Sequence, residues 1–257
     1  MSEPARPDPE AAKAPERDDG RRLFVGLRVS LATANALSRA VETLGRRARD
    51  GGLDLRWVPP ANYHVTLKFL GWTREAALAA VGDALERAVL GAQRFTFKTT
   101  RLGAFPSVDK ASVVWAGVEE ASGALTQLAQ AIETAMVGIG YAAETRPYHP
   151  HVTLARSREI RAVKDLVLPV AEQMFGDTRV EAVTLFESEI KPIGSVHKEI
   201  SRIDFKAAEI PPSGGAERQT RAVNLGVHIP PRELGAPTRS SEPEDTDDGW
   251  PRGQGPH

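Results

Sequence analysis

The chain has 257 residues, 41% hydrophobic and 26% charged, with a formal net charge of −1; these are ordinary globular values, with length for one large or two small domains. Cysteine is absent, which excludes disulfides, thiolate nucleophiles and thiolate metal sites, and no apolar run approaches the ~18 residues that a membrane-spanning helix needs. The N-terminus has no signal-peptide pattern, so a cytoplasmic protein working as a monomer is expected.

Residues 1–20, MSEPARPDPEAAKAPERDDG, are rich in Pro, Glu and Ala without apolar periodicity, and residues 207–257 close on the similar SSEPEDTDDGWPRGQGPH. Both are expected to be disordered tails, and each carries a charge of −3. Residues 21–206 are therefore at +5, a modest surplus that would help to hold a polyanion.

Within that stretch LFVGLRV (Leu23 to Val29) has the β-branched and aromatic content of a strand, and Ser30 to Ala48 follows as an amphipathic helix with Ser30 as its cap. The proline-stiffened RWVPPAN (Arg56 to Asn62) leads into a strand, YHVTLKFLG, that is expected to end at Gly71, with a second helix over Thr73 to Val89. FTFKTTRLGAF and SVVWAGV predict two more strands, and Ala121 to Val137 a helix. RPYHPHVTLAR (Arg146 to Arg156) is again a proline-led strand, Val163 to Phe175 predicts a helix, and TRVEAVTLFES and HKEISRIDF supply the last strands. The strands are separated by short turns or single helices without a strict βαβ repeat, which points to an α+β fold with mainly antiparallel sheet.

The informative feature is a repetition: His64-Val65-Thr66-Leu67 recurs 87 residues later as His151-Val152-Thr153-Leu154, both times after a proline-containing segment and inside a strand. With six histidines in the chain, a chance match of this kind has a probability of roughly half a per cent, so coincidence is the weaker explanation. Strand side chains alternate, so His64 and Thr66 share one face while Val65 and Leu67 share the other, and the same holds for His151 and Thr153. Two such strands side by side would give one cleft two imidazoles and two hydroxyls. Attack on a phosphodiester needs a base, an acid and donors to the phosphoryl oxygens, and histidine titrates where it can serve in both proton roles. Metal ligation is the competing use, with His149 and His197 available to join; no HExxH helix, cysteine or flanking carboxylate cluster accompanies the pair.

These segments resemble the 2H phosphoesterase superfamily, named for its two His-x-Thr/Ser-x motifs, and most closely its LigT-like RNA 2′,3′-cyclic phosphodiesterases, the 2′-5′ RNA ligase family. RLFVGL, RWVPPxNxHVTLKFLG, PHVTLAR and LFESxxxPxG follow the family's order and spacing from Arg22 to Phe205. One departure is His197, where the family usually has Tyr. The resemblance implies a two-lobed, pseudo-symmetric α+β fold with helices packed outside and a central positively charged groove. It also implies hydrolysis of RNA 2′,3′-cyclic phosphodiester ends to 2′-phosphate ends. His64 would be the proton donor to the leaving 3′ oxygen and His151 the proton acceptor from water. Thr66 and Thr153 would bind the phosphoryl oxygens, and Arg156 would add a charge-assisted contact or else be a surface strand-end arginine. Phe24 would stack a base or be core, and Lys68 would steer phosphate or be solvated. The expected ligand is RNA with a cyclic phosphate end or a small cyclic nucleotide, and weak reverse 2′-5′ ligation is compatible, since both directions share one transition state. No metal or other cofactor is implied. The alternatives are an RNA-binding module without turnover and a hydrolase whose histidines ligate a metal.

Overall fold

The computed structural model describes residues 19–191 and 194–205; the expected tails fall outside the described residues apart from Asp19 and Gly20. β1 (Gly20–Arg28) begins at the last of these, and Ser30 then caps α1 (Leu31–Asp50) by accepting the Thr33 amide at 3.1 Å. α1 buries Leu37, Ala40, Leu44 and Ala48, spaced three or four apart as one helical stripe. There follow β2 (Arg56–Trp57), a 3₁₀ turn at Pro60–Asn62, β3 (His64–Arg74), α2 (Leu78–Ala88), β4 (Phe95–Ser107), β5 (Lys110–Glu119) and α3 (Ala124–Gly138). β6 (His151–Arg161), α4 (Lys164–Val167), β7 (Met174–Val180), β8 (Ala182–Lys191) and β9 (Gly194–Asp204) complete the described chain.

The strands form one sheet in the order β7-β4-β5-β6-β3-β1-β8-β9, antiparallel throughout, with β2 added on β6. Long ladders hold the neighbours together everywhere except at the centre, where β3 and β6 share the single Cα pair Val65↔Val152. That pair marks a pseudo-two-fold axis. β3, β1, β8 and β9 on one side correspond in order to β6, β5, β4 and β7 on the other. The expected α+β, antiparallel, two-lobed architecture is thus present, as two halves of one sheet meeting at a seam. The helices cross over between halves: α1 follows β1 but packs on β7, while α3 follows β5 but packs on β3 and α2. Their apolar stripes and the inner sheet face, with Leu37, Val65, Leu85, Ile132, Met136, Val152 and Leu154, form the core.

Three local expectations change. β3 continues past Gly71 to Arg74 because Gly20, Arg21 and Arg22 of β1 pair with Arg74, Thr73 and Trp72, so the second helix starts only at Leu78. The helix expected over Val163 to Phe175 reduces to α4 and a 3₁₀ turn at Leu168–Val170, because Pro169 has no amide to continue the ladder and Phe175 belongs to β7, buried at the sheet. TRVEAVTLFES divides at Glu181 into β7, which pairs with β4, and β8, which pairs with β1.

Candidate active site

Both His-Val-Thr-Leu copies sit at the seam. Val65 and Val152 face the core with no exposure, so His64, Thr66, His151 and Thr153, all partly exposed, lie on the opposite face of the sheet. The antiparallel register about Val65↔Val152 sets His64 alongside Thr153 and Thr66 alongside His151. Two identical motifs therefore meet head to tail on one surface.

Each imidazole is oriented by the residue two positions before it. His64 Nδ1 donates to the Asn62 carbonyl at 2.6 Å and His151 Nδ1 donates to the His149 carbonyl at 2.7 Å. A carbonyl only accepts, so Nδ1 carries the hydrogen in both rings and Nε2 is left for chemistry. The Thr66 hydroxyl lies 3.2 Å from His64 Nε2.

Aromatic walls back both rings. His64 packs against Phe24 at 4.7 Å and Phe186 at 5.8 Å between centroids, and His197 meets it edge-on at 5.0 Å. His151 packs against Phe105 at 5.0 Å and Trp115 at 6.4 Å, with His149 beside it at 6.4 Å. Phe24 is 2% exposed, which makes it core and closes it to a base. Gly26 gives His64 its room: a Cβ there would stand 2.8 Å from the Val65 carbonyl oxygen and 3.5 Å from His64 Cδ2. Burial against this apolar floor disfavours the imidazolium and pushes His64 down to about 4; the Asn62 hydrogen bond opposes the shift, and the charges of His197, His151 and Arg156 add to it. His151 is lowered too, first by burial and then by the charges of His149 and Arg156. Arg156 acts electrostatically on His64, His151 and His197, and it pairs with no carboxylate among the described residues. Its charge thus reaches all three histidines from an exposed position on the strand of His151.

A β-bulge follows each threonine. Gly26 pairs with Thr66 and Val25 with Lys68, passing over Leu67; Trp115 pairs with Thr153 and Val114 with Ala155, passing over Leu154. The bulge turns Lys68 to the core side, where its Nζ contacts Glu133 at 2.8 Å and the Ala142 carbonyl at 2.6 Å and is 5% exposed. Lys68 is therefore neither a phosphate-steering group nor a solvated one. One residue further on, Phe69 and Arg156 return to the site face at equivalent positions. Phe69, 61% exposed, was not singled out from the sequence; comparing HVTLKF with HVTLAR, two residues beyond the repeat, is the signal that marks it. Among the described residues no three His, Asp or Glu side chains are grouped to hold a metal.

Two His-x-Thr strands, joined at the seam of a pseudo-symmetric antiparallel sheet, give the motif pair and fold of the LigT-like 2H phosphoesterases. The chain belongs to the 2′-5′ RNA ligase superfamily, whose family model matches residues 33–191. It is 31% identical over 155 residues to the RNA 2′,3′-cyclic phosphodiesterase of Aeropyrum pernix, covering 59% of this chain and 87% of that protein. The TT0787 protein of Thermus thermophilus superposes with a TM-score of 0.60 at 27% identity, over 72% of this chain and 97% of that one. E. coli LigT in its apo form shares the fold with a TM-score of 0.57 at 21% identity, over 72% of this chain and 98% of that one.

Proposed function

We propose that residues 21–206 hydrolyse the 2′,3′-cyclic phosphodiester at an RNA end to a 2′-phosphate, by acid–base catalysis between His64 and His151 and without a metal. Neutral His151 takes a proton from water at Nε2 as the water oxygen attacks phosphorus. The bond from phosphorus to the ribose 3′ oxygen breaks, and His64 Nε2 delivers its proton to that oxygen. Both protons are then accounted for and no Lewis acid is required. Thr66 and Thr153, beside the two rings, donate to the non-bridging oxygens, and the Arg156 guanidinium meets the charge that accumulates there. The exposed Phe69 ring, at the place equivalent to Arg156, offers the flat apolar surface on which a terminal base stacks.

The observation that carries this reading is the register itself, which brings two tautomer-locked histidines and two threonines to one face. The curated relative from A. pernix, named for cyclic phosphodiester hydrolysis, supports the reaction class. His64 is poorly charged in the free protein, and a bound phosphate anion supplies the field that loads it. With the 5′ hydroxyl of a second RNA attacking phosphorus in place of water and the 3′ oxygen again leaving with a proton, the same residues would join two ends weakly through a 2′-5′ linkage.

The test is incubation of the purified protein, with EDTA present, with an RNA ending in a 2′,3′-cyclic phosphate. A 2′-phosphate end is expected, with His64→Ala and His151→Ala each slower by about 10²–10⁴-fold. Full activity in either variant removes the two-histidine mechanism. Loss of wild-type activity on chelation removes metal independence, and retained RNA binding without product leaves a binding module instead.

A further inference from the structure

His64 owes its tautomer to a residue that takes no part in the proton transfers. The carbonyl of Asn62 accepts the Nδ1 hydrogen at 2.6 Å, while the same residue's side chain reaches the other way, to β9. Its Nδ2 donates to the Ser195 carbonyl at 2.7 Å, and its Oδ1 accepts the His197 amide hydrogen at 3.3 Å. Asn62 is 8% exposed and follows Pro59 and Pro60, which leave the backbone little freedom of its own. β9 is the outermost strand of its half, three places from β3 in the sheet, and these two bonds buckle it directly to the strand that carries His64. The buckle also sets His197, whose ring stands edge-on to both His64 and Phe24. Among the described residues the other half has no counterpart to this device. His149 holds His151 through its carbonyl, but its side chain packs on Phe105 and Trp115.

We propose that Asn62 is a positioning residue for the proton donor: by clasping β9 through its side chain it fixes the carbonyl that locks His64 with Nε2 facing the leaving oxygen. This rests on the assignment of His64 as the acid. Proton donation matters in proportion to the basicity of the leaving group. A ribose 3′ alkoxide needs it, whereas a p-nitrophenolate departs without it. A residue that serves only the acid should therefore matter for one substrate and not for the other.

The experiment compares wild type, Asn62→Ala, Asn62→Asp and His64→Ala on two substrates, an RNA with a 2′,3′-cyclic phosphate end and bis(p-nitrophenyl) phosphate. Asn62→Ala loses both bonds to β9; the isosteric Asn62→Asp keeps the acceptor for the His197 amide and sets an acceptor against the Ser195 carbonyl, so it serves if the alanine variant does not fold. Both Asn62 variants are expected to lose kcat on the cyclic phosphate by about 10- to 100-fold, with KM within about twofold, and to keep turnover of the aryl diester within about threefold. Equal losses on both substrates, or none on the cyclic phosphate, overturn the proposal. His64→Ala separates the two assignments. If it lacks the leaving-group dependence, the acid assignment fails and the inference with it. If it has the dependence and Asn62→Asp does not, only the role of Asn62 fails.

Discussion

Removing the His64 imidazole should make the fold more tolerant of acid, by an amount that follows from its burial. In the folded protein the apolar floor of Phe24 and Phe186 pushes His64 from 6.5 down to about 4. The unfolded chain therefore binds the proton first, so stability falls as pH drops through 6.5 and levels off once pH is below about 4. A difference of 2.5 between those two values corresponds to about 3 kcal/mol at full protonation, of which about 2 kcal/mol is already lost near pH 5. His64→Gln keeps a polar side chain without the titration. Urea unfolding of wild type and variant at about pH 7, 6, 5 and 4 isolates the effect, because carboxylate contributions common to both cancel in the difference. The variant is expected to gain on the wild type by about 2 kcal/mol between pH 7 and pH 5, whatever its stability at neutrality. Parallel curves for the two proteins would mean that water reaches the imidazole freely, and the reasoning from the aromatic floor would fail.

Binding of inorganic phosphate near neutral pH should take up protons, because the anion raises a histidine that is neutral in the free protein; calorimetry in buffers of different ionisation enthalpy reads the uptake, and a buffer-independent heat would contradict it. Gly26→Ala, whose Cβ would stand 2.8 Å from the Val65 carbonyl oxygen, should cut kcat by about 10-fold or more through displacement of β3 and His64, and an unaffected kcat would show that the strands absorb the methyl. Arg156→Gln should lower kcat/KM by about 10²-fold, with Arg156→Lys recovering only part because an ammonium lacks the planar fork; equal activity of all three proteins counts against a transition-state contact. Lys68→Met leaves Glu133 facing a buried site without its cation and should cost about 2–3 kcal/mol in urea unfolding while kcat stays within about twofold; a selective loss of kcat would return Lys68 to the active site.

The repeat was legible in the sequence because it combines two periodicities: alternation within each strand, and recurrence of the same four residues between strands. Alternation correctly put Val65 and Val152 in the core and His64, Thr66, His151 and Thr153 on the other face. It failed at the next residues, since a bulge is a property of the pairing between strands and leaves no mark in either strand alone. Alternation alone puts Lys68 on the Thr66 face and Phe69 on the core face, and the structure reverses both. The same limit explains the helix boundaries. Thr73 is as compatible with a helix as with a strand until β1 is seen to extend far enough to pair with it. His197 stands out in the sequence as a spare metal ligand or a departure from a family pattern, and neither reading reveals its place beside His64, because that contact crosses from β9 to β3.

Two identical tetrapeptides with the same tautomer, held by the same carbonyl contact, offer no reason of their own for one histidine to donate and the other to accept. If they take the proposed roles, the reason would lie in what surrounds them. His64 rests on two buried phenylalanines with a third histidine at its edge, which hold it well below the ordinary imidazole range, so a proton placed on it would be given up readily. His151 is lowered too, first by burial and then by the charges of His149 and Arg156. Arg156 stands in the half of His151, and the equivalent place in the half of His64 holds the uncharged Phe69. A phosphate drawn to the guanidinium would thus lie with one oxygen side toward a cation and the other toward an apolar ring and the proton donor, which orients a cyclic diester between otherwise equivalent halves. Under the proposed roles, the direction of proton transfer would rest on how each half of the sheet covers its histidine and on the bound anion that charges His64.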